Sequence, residues 1–337
     1  MNIKWIKKRK VKTLMKKYNW AILGAGSIAR EMALALKEVN GEIYAVGNRT
    51  LEKAQKFAEE FHALKVYVDC DKMIEDPKVD IIYISTPHNL HYEFLLKAVK
   101  NGKHVLCEKA ITVNAKQLDE IVAIAKEKNL VVAEAMTIYH MPIYKKLKEI
   151  VDSGAIGKVK MVQVNFGSCK EYDVKNRFFS KELAGGALLD IGVYATSFAR
   201  YFMKSKPNVV LTTAKYFETG VDEQSGIIMK NDCDQMAVMA LTMRAKQPKR
   251  GVVAGELGYI EVNNYPRADK ATITYTEDGR TEEIKLGETS KALNYEVEDI
   301  QEYITNKTGK KQLQLSIDVT YLLSEVRNQW GFVYPFE

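Results

Sequence analysis

Short apolar runs alternate with helix-periodic segments between residue 18 and about residue 135. The apolar runs predict strands, which cover residues 18–24, 42–48, 65–68, 79–86, 104–108 and 131–136. The segments with helical periodicity cover residues 27–39, 51–61, 89–101 and 114–129. Strand–helix units repeated at this length predict a parallel sheet with helices on both faces. The first part of the chain is therefore predicted to be a doubly wound α/β domain.

A different pattern begins after residue 140, where several strands follow one another without helices between them. The predicted strands cover residues 158–167, 209–216, 234–243, 250–255, 258–262 and 271–275. The predicted helices cover residues 142–153, 295–306 and 316–330. Successive strands of this kind predict a mostly antiparallel sheet in an α+β domain. We expect a basic extension at 1–17, a dinucleotide-binding domain at 18–138 and an α+β domain at 139–337.

The length and composition are typical of a folded protein with two domains. At 337 residues, the chain exceeds what one hydrophobic core usually covers. Hydrophobic residues make up 46% and charged residues 28%, close to globular averages. This composition excludes a largely disordered chain.

The net charge of +7 comes from the N-terminal extension. The first 17 residues contain eight basic residues and no acidic residue, and removing these eight charges from +7 leaves −1. A body this close to neutral argues against a broad nucleic-acid-binding face.

The extension itself lacks the apolar core of a secretory signal. Three interpretations are open: a flexible extension, an upstream start codon with Met15 as the working start of translation, or a short amphipathic helix on an anionic membrane surface. The last alternative rests on Trp5, Ile6 and Leu14, which lie among the lysines.

The cysteines indicate neither a metal site nor disulfides. They are far apart, with no C-x-x-C pair and no histidine cluster nearby: Cys70, Cys107, Cys169 and Cys233. The chain also has no export signal and no stretch of 18 apolar residues. We therefore expect a cytoplasmic protein that binds no metal and no nucleic acid. A membrane contact is expected only through the extension, if at all.

A glycine-rich loop joins the first predicted strand to the first predicted helix. The sequence "GAGSIA" at 24–29 matches G-x-G-x-x-[GA], in which Gly24 makes the tight turn and Gly26 lets the backbone approach a pyrophosphate. Ala29 allows close packing of helix on strand. Ser27 and Ile28 open a helix whose free N–H groups and partial positive charge favour phosphates. The loop predicts a bound dinucleotide.

The end of the second predicted strand indicates which dinucleotide. A site that prefers NAD usually places an acidic residue on the ribose 2′-hydroxyl about 20 residues beyond the loop. Here Asn48 replaces the acid and Arg49 adds a guanidinium, which pairs well with a 2′-phosphate. NADP is therefore the expected coenzyme, and NAD is the less favoured one.

Five motifs together resemble a known family. "GAGSIA", "NRT", "STPHNLHYE", "GKHVLCEKA" and "GGALLDIGVY" occur in the order and spacing of the glucose–fructose oxidoreductase, inositol dehydrogenase and MocA-like (Gfo/Idh/MocA) family. The resemblance spans most of residues 18–335. It is greatest to the branch with trans-dihydrodiol dehydrogenases, NADP-dependent D-xylose dehydrogenases and glucose–fructose oxidoreductase, which have tyrosine where many relatives have histidine. In this chain that residue is Tyr194.

The resemblance implies a Rossmann domain followed by an α+β domain with an open sheet that mediates contacts in a homodimer or homotetramer. It also implies that Lys109, from the family's E-K-P motif, lies beside the nicotinamide and the substrate. Ala110 replaces the usual proline. Because proline fixes φ, we expect a looser loop around Lys109.

Alcohol oxidation requires a base for the hydroxyl proton and a positive group for the developing alkoxide. Asp190 and Tyr194 are four residues apart and share one side of a predicted helix. We expect Tyr194 to act as the acid/base, Lys109 to lower its pKa, and Asp190 to fix Lys109 or bind a substrate hydroxyl. The alternative is that Tyr194 is a core residue and Asp190 binds buried backbone donors.

Other residues are weaker candidates. We expect four residues at or just after the end of the fourth strand, and one at the end of the fifth, to contact the coenzyme: Thr86, Pro87, Asn89, His91 and Glu108. Arg177 and His140 are candidate substrate ligands, and Tyr144 is a third residue that could face the cleft.

The predicted function is an NADP-dependent oxidoreductase that acts on a hydroxyl group of a carbohydrate or cyclic diol. Two alternatives remain at this stage. One is the redox-assisted elimination from glycosides that some members of the family perform. The other is a non-catalytic NADP-sensing regulatory protein, against which the presence of both Lys109 and Tyr194 argues.

Overall fold

The computed structural model describes residues 17–337, and the basic extension lies, apart from its last residue, outside this range. Six strands form the first sheet: β1 Asn19–Leu23, β2 Glu42–Gly47, β3 Lys65–Tyr67, β4 Ile81–Ile84, β5 His104–Glu108 and β6 Val132–Ala135. All neighbours are parallel and the order is β3-β2-β1-β4-β5-β6, the doubly wound order of dinucleotide-binding domains.

Helices cover both faces of this sheet. They are α1 Ser27–Glu38, α2 Leu51–Phe61, α3 Cys70–Glu75, α4 His91–Lys100 and α5 Ala115–Glu127. Strand β1 explains the arrangement, because Trp20 and Ile22 enter one hydrophobic core while Ala21 and Leu23 enter the other. Alternate side chains of a strand point to opposite faces, so a strand covered on both sides is apolar throughout.

The second sheet contains eight strands. They are β7 Val159–Gly167, β8 Val209–Tyr216, β9 Asp222–Lys230, β10 Met236–Thr242, β11 Gln247–Gly255, β12 Gly258–Asn263, β13 Lys270–Tyr275 and β14 Thr281–Lys285. Their order is β14-β13-β12-β11-β7-β10-β9-β8, and all pairs are antiparallel except β7 with β10. The predicted fold class, a Rossmann domain with a mostly antiparallel α+β domain, is confirmed.

One face of the second sheet is open. The remaining helices are α6 Thr137–His140, α7 Pro142–Asp152, α8 Val193–Phe202, α9 Ala292–Asn306 and α10 Lys310–Trp330. Helix α8 packs on the covered face, where the Phe198 ring lies against Gly251 of β11. Apolar side chains on the other face stay exposed, among them Leu211 at 61%, Ile228 at 39% and Val238 at 36%.

The last two helices return to the first sheet. Asn294 of α9 donates to Glu38 of α1, and Ser316 of α10 donates 2.6 Å to Glu134 of β6. Trp330, the last residue of α10, donates to Thr212 of β8 in the second sheet, so residues after 291 contact both sheets. The predicted limits of 18–138 and 139–337 for the two domains stay a prediction. Within residues 17–337, no helix is both long enough and apolar enough to cross a membrane.

Candidate active site

A cleft of about 670 Å³ opens at the carboxyl ends of β1, β2, β4 and β5. In the strand order, β1 and β4 are adjacent and the chain winds away from them in opposite directions. Open α/β sheets bind their ligands at such a switch point, and this volume suits a small-molecule ligand. Arg177 and Tyr194 line the cleft from the second part of the chain.

The glycine loop has the geometry of a phosphate-binding turn. Gly24 has φ +107°, and a Cβ there would lie 2.8 Å from Ser85 Oγ. A Cβ on Gly26 would meet no atom within 4 Å, so the backbone there is open to an approaching ligand. Helix α1 begins at Ser27 with neither a side-chain cap nor an acidic residue in its first turn. Its first N–H groups are therefore available to phosphate oxygens.

Two cations stand at the other end of the cleft. Arg49 and Lys53 both line it, together with Asn48 and Thr50, and no acidic residue within 17–337 pairs with either cation. Sequence reasoning missed Lys53, although it lies four residues after Arg49. The residues present fit a dinucleotide that carries an additional phosphate at this end.

Lys109 and Asp190 form a buried ion pair between the two sheets. Lys109 directly follows β5, and its Nζ donates 2.5 Å to the backbone oxygen of Asp190 and 3.1 Å to Oδ1. The two side chains are only 13% and 9% exposed. Burial opposes ionisation of Asp190, yet the cations Lys109, Lys170 and Arg177 hold the pKa of this carboxyl well below its usual range. Asp190 is therefore ionised at neutral pH.

A π-helical turn from Leu188 to Gly192 carries Asp190 into this position and leads directly into α8. Such turns are rare and occur frequently at functional sites. The two glycines ahead of it are tightly packed, since a Cβ on Gly185 would lie 2.6 Å from two backbone oxygens. A larger residue at that position would displace the segment.

Tyr194 lines the cleft next to the ion pair, and Lys109 Nζ lies 4.8 Å from the centre of its ring. Burial raises the pKa of Tyr194 well above its usual range, and the Glu108 carboxylate adds to the rise. Burial has the largest effect on this pKa, and the expectation that Lys109 lowers it stays a prediction. The phenol is protonated at neutral pH.

Two buried histidines hold the loop that carries Lys109. The His88 Nε2 lies 3.0 Å from the carbonyl oxygen of Lys109, and the His91 Nδ1 lies 2.9 Å from that of Ala110. The amide of Ile111 donates to the Glu134 carboxylate. The Lys109–Ala110 peptide bond is cis. The loop is buried and bonded at successive residues, so the expected looseness from Ala110 is not observed.

His91 is a correction to the predicted coenzyme ligands. It is fully buried, does not line the cleft, and its second ring nitrogen lies 2.9 Å from the Thr86 oxygen. His88, which was not singled out from the sequence, does line the cleft. Only the fold could distinguish these two histidines, because they lie three residues apart on the same short segment.

The remaining predicted residues divide into two groups. The cleft is lined by Thr86, Pro87, Glu108 and Arg177, as well as by Gly24, Gly26, Ser27, Ile28, Asn48 and Arg49. Asn89 does not line the cleft. Thr86 Oγ1 and Asn89 Oδ1 are buried polar atoms without a hydrogen-bond partner among the described residues.

His140 is a second correction. Its side chain is buried, and its ring nitrogens lie near Asp299 Oδ2 and the Glu134 backbone oxygen, away from the cleft. Tyr144 is likewise a core residue that donates to the Tyr265 backbone oxygen. Both side chains face inward because helices α6 and α7 pack against α8 and α9.

Two family models match the chain. The model of the oxidoreductase family with an NAD-binding Rossmann fold covers residues 18–136, and that of the GFO/IDH/MocA C-terminal domain covers residues 144–261. The chain belongs to the Gfo/Idh/MocA oxidoreductase family. The predicted family and the prediction of an NAD(P)-dependent dehydrogenase are thereby confirmed.

Relatives in this family are similar along most of the chain. Trans-1,2-dihydrobenzene-1,2-diol dehydrogenase of Xenopus tropicalis is 30% identical over 331 residues, which cover 94% of this chain and 99% of that protein. D-xylose 1-dehydrogenase (NADP+) of Hypocrea jecorina is 32% identical over 279 residues, covering 72% and 71%. Scyllo-inositol 2-dehydrogenase (NADP+) of Bacillus subtilis is 28% identical, covering 94% and 98%.

Solved structures of the family share the fold. Levoglucosan dehydrogenase in complex with NADH and levoglucosan superposes with a TM-score of 0.84 at 19% identity, covering 95% of this chain and 100% of that one. A 3-ketoreductase from Actinomadura kijaniata in complex with NADP gives 0.82 at 22% identity, covering 93% and 98%. At these identities the likeness shows the fold alone.

The buried state of His88 predicts a pH dependence of stability. Burial lowers the pKa of His88 to about 3, whereas an unfolded histidine titrates near its ordinary value of about 6.5. The stabilising effect of neutral His88 is complete above about pH 6.5 and is lost progressively as the pH falls towards 3. Between these two pH values, one such group changes the free energy of unfolding by up to about 1.4 kcal/mol per pH unit.

Urea unfolding of wild type and His88→Gln between pH 6 and 4.5 measures this slope. The free energy of unfolding of the variant should fall less steeply, by about one proton's slope. His62→Gln, at an exposed histidine, is the control and should keep the wild-type slope. An unchanged slope in His88→Gln would show that His88 is not held neutral.

Proposed function

We propose that the protein is an NADP-dependent oxidoreductase that moves a hydride between the nicotinamide and a hydroxyl group of a sugar or cyclic diol. One observation carries the proposal: Lys109, Asp190 and Tyr194 meet beside the cleft that contains the glycine loop. The names of the relatives support it, since they are dehydrogenases of a dihydrodiol, of D-xylose and of scyllo-inositol.

The glycine loop and α1 would hold the pyrophosphate of the coenzyme, and Arg49 with Lys53 would hold the 2′-phosphate. A guanidinium and an ammonium without an acidic partner favour a phosphate dianion over a ribose hydroxyl. Thr86, Pro87 and Glu108 line the middle of the cleft, between these two groups and Tyr194. The bound nicotinamide would supply or accept the hydride.

Tyr194 is the residue that we propose as the acid/base. In the direction of carbonyl reduction, its phenol donates a proton to the substrate oxygen. In the direction of alcohol oxidation, its phenolate takes that proton back. The raised pKa of Tyr194 favours donation at neutral pH, so oxidation is expected to be faster at alkaline pH.

Lys109 acts together with Tyr194. Its ammonium lies 4.8 Å from the ring centre, near enough to stabilise negative charge on the substrate oxygen or the phenolate. Asp190 fixes Lys109 through two hydrogen bonds and is a positioning residue in this proposal. The exposed apolar residues of the open sheet support a homodimer or homotetramer in which that face is covered.

Tyr194→Phe removes the hydroxyl group that carries the transferred proton and keeps the aromatic ring. We expect kcat for NADP reduction with a carbohydrate or diol substrate to fall by at least about 100-fold, the lower range for the loss of an acid–base group. The dissociation constant for NADP should change less than about threefold. Tyr201→Phe, later on α8 and outside the cleft, is the control. Wild-type turnover in Tyr194→Phe would refute the assigned role.

Coenzyme preference is tested at Arg49 and Lys53. Each substitution by glutamine removes one charged contact to the 2′-phosphate, so the KM for NADP should rise by about 10-fold or more. The KM for NAD should stay within about threefold, because NAD lacks this phosphate. Lys56→Gln, at the next exposed lysine of α2, should change neither constant. Equal increases for both coenzymes would contradict a 2′-phosphate site.

A further inference from the structure

Three further cations lie near Lys109 and Asp190, and one of them, Arg177, lines the cleft. They are Lys170, which follows β7, Arg177 in the loop ahead of α8, and Lys249 of β11. Lys170 and Lys109 share the single carboxylate of Asp190, with Lys170 Nζ 3.6 Å from Oδ2. Within residues 17–337, Arg177 and Lys249 form no ion pair with any acidic side chain.

Arg177 and Lys170 lie against the same aromatic ring. The Phe178 ring centre is 3.5 Å from Lys170 Nζ and 4.2 Å from Arg177 Cζ. Arg177 lines the cleft directly. Stacking on the ring limits the conformations of both side chains, which keeps their charges together at the edge of the cleft.

Lys249 belongs to the second sheet and lies near Asp190 and Lys170. The pairing of β11 with β7 shifts between Gln247 and Arg250, which adds one residue to β11 at this point. Lys249 lies in this bulge and is only partly exposed, and its Nζ is 4.9 Å from the centre of the Phe166 ring. The Phe166 ring is in turn 6.1 Å from the Tyr194 ring. Bulges beside active sites commonly redirect a side chain in this way.

The charges here do not balance. Four cations, Lys109, Lys170, Arg177 and Lys249, lie near Asp190, and only Lys109 and Lys170 form an ion pair with it. Burial lowers the pKa of Lys170 and of Lys249, and the neighbouring cations lower both further. Lys109, Lys170 and Lys249 are partly buried, whereas Arg177 is exposed at the edge of the cleft. Like charges held close together disfavour one another unless an anion joins them. The phosphate groups of the coenzyme already have their own partners at the glycine loop and at Arg49.

Other charged groups near this cluster do not offset it. Arg267 is also close but is paired with Glu31 at 2.9 Å. Glu108 lines the cleft, and it accepts a hydrogen bond from Tyr83 rather than from a cation of the cluster. Lys246, next to Lys249, adds a further positive charge. When Glu108 is counted with Asp190, the cluster still contains more cations than carboxylates.

We infer that the substrate is an anionic carbohydrate, a polyol with a carboxylate or phosphoryl group that Arg177 and Lys249 bind while a hydroxyl group faces Tyr194. The inference rests on the proposed function and narrows its substrate class. Arg177 forms bidentate contacts with planar or tetrahedral anions, and Lys249 adds a point charge. Both anion types fit this chemistry, so the experiment distinguishes them.

Isothermal titration of the enzyme loaded with NADPH, which cannot accept a hydride, measures the binding of D-glucose, D-glucuronate and D-glucose 6-phosphate independently of turnover. We expect at least one of the two anions to bind at least about 10-fold more tightly than glucose. The tighter anion identifies the group. In Arg177→Gln and in Lys249→Gln, its affinity should fall by about 10- to 100-fold, whereas glucose binding stays within about threefold.

Lys270→Gln is the matched control, since it removes one exposed lysine of the same sheet that takes part in none of these contacts. It should leave all three affinities unchanged. Glucose binding as tightly as both anions, no binding of either anion, or equal losses in Lys270→Gln would each overturn the inference. Tight anion binding without NADP reduction by any sugar would instead uphold the anion site and refute the proposed oxidoreductase.

Discussion

The ion pair of Lys109 with Asp190 is the contact on which the site depends. It joins the end of β5 in the first sheet to the turn that leads into α8 on the second sheet. Asp190 is buried, and it stays ionised because Lys109, Lys170 and Arg177 lower the pKa of its carboxyl group. The same contact brings Lys109 to within 4.8 Å of the Tyr194 ring centre. This ion pair therefore helps to hold the end of β5 next to Tyr194, the proposed acid/base.

The surroundings of this pair are arranged to keep it in place. His88 and His91 form hydrogen bonds with the backbone oxygens of Lys109 and Ala110, and the Glu134 carboxylate accepts from the amide of Ile111. Glu134 also accepts from Ser316 of α10, which ties the loop to the C-terminal helices. The cleft also has cations at both ends, and we propose that Arg49 and Lys53 bind a 2′-phosphate and that Arg177 and Lys249 bind a substrate anion. Such a charge distribution also attracts anionic ligands from solution.

Much of the fold followed from the sequence because its signals are local. Buried parallel strands such as β4 are continuous apolar runs, and the loop at Gly24 needs a backbone that only glycine adopts readily. The missed elements lack such signals. Strand β14 is almost wholly polar and exposed, and α3 has only six residues, with its start fixed by the Asp69 side chain. Strand β9, also missed, reveals its alternation of buried and exposed residues only in the structure.

The candidate site was harder to predict because it is assembled from distant segments. Motif spacing identified Lys109, Asp190 and Tyr194, but it could not show which histidines face the cleft. Lys170 and Lys249 gave no motif at all, since their relation to Asp190 arises from sheet pairing and a bulge. The direction of the Tyr194 pKa also depends on burial, which residue types alone do not reveal.

A double-mutant cycle on Lys109→Met and Asp190→Asn tests the central contact most directly. The free energy of unfolding by urea is measured for wild type, both single variants and the double variant. Each single substitution leaves a buried group without its partner and should cost about 3–5 kcal/mol, whereas the double variant should cost less than their sum by at least about 1.5 kcal/mol. Additive losses within about 0.5 kcal/mol would show that the two residues do not depend on each other, and would contradict this account.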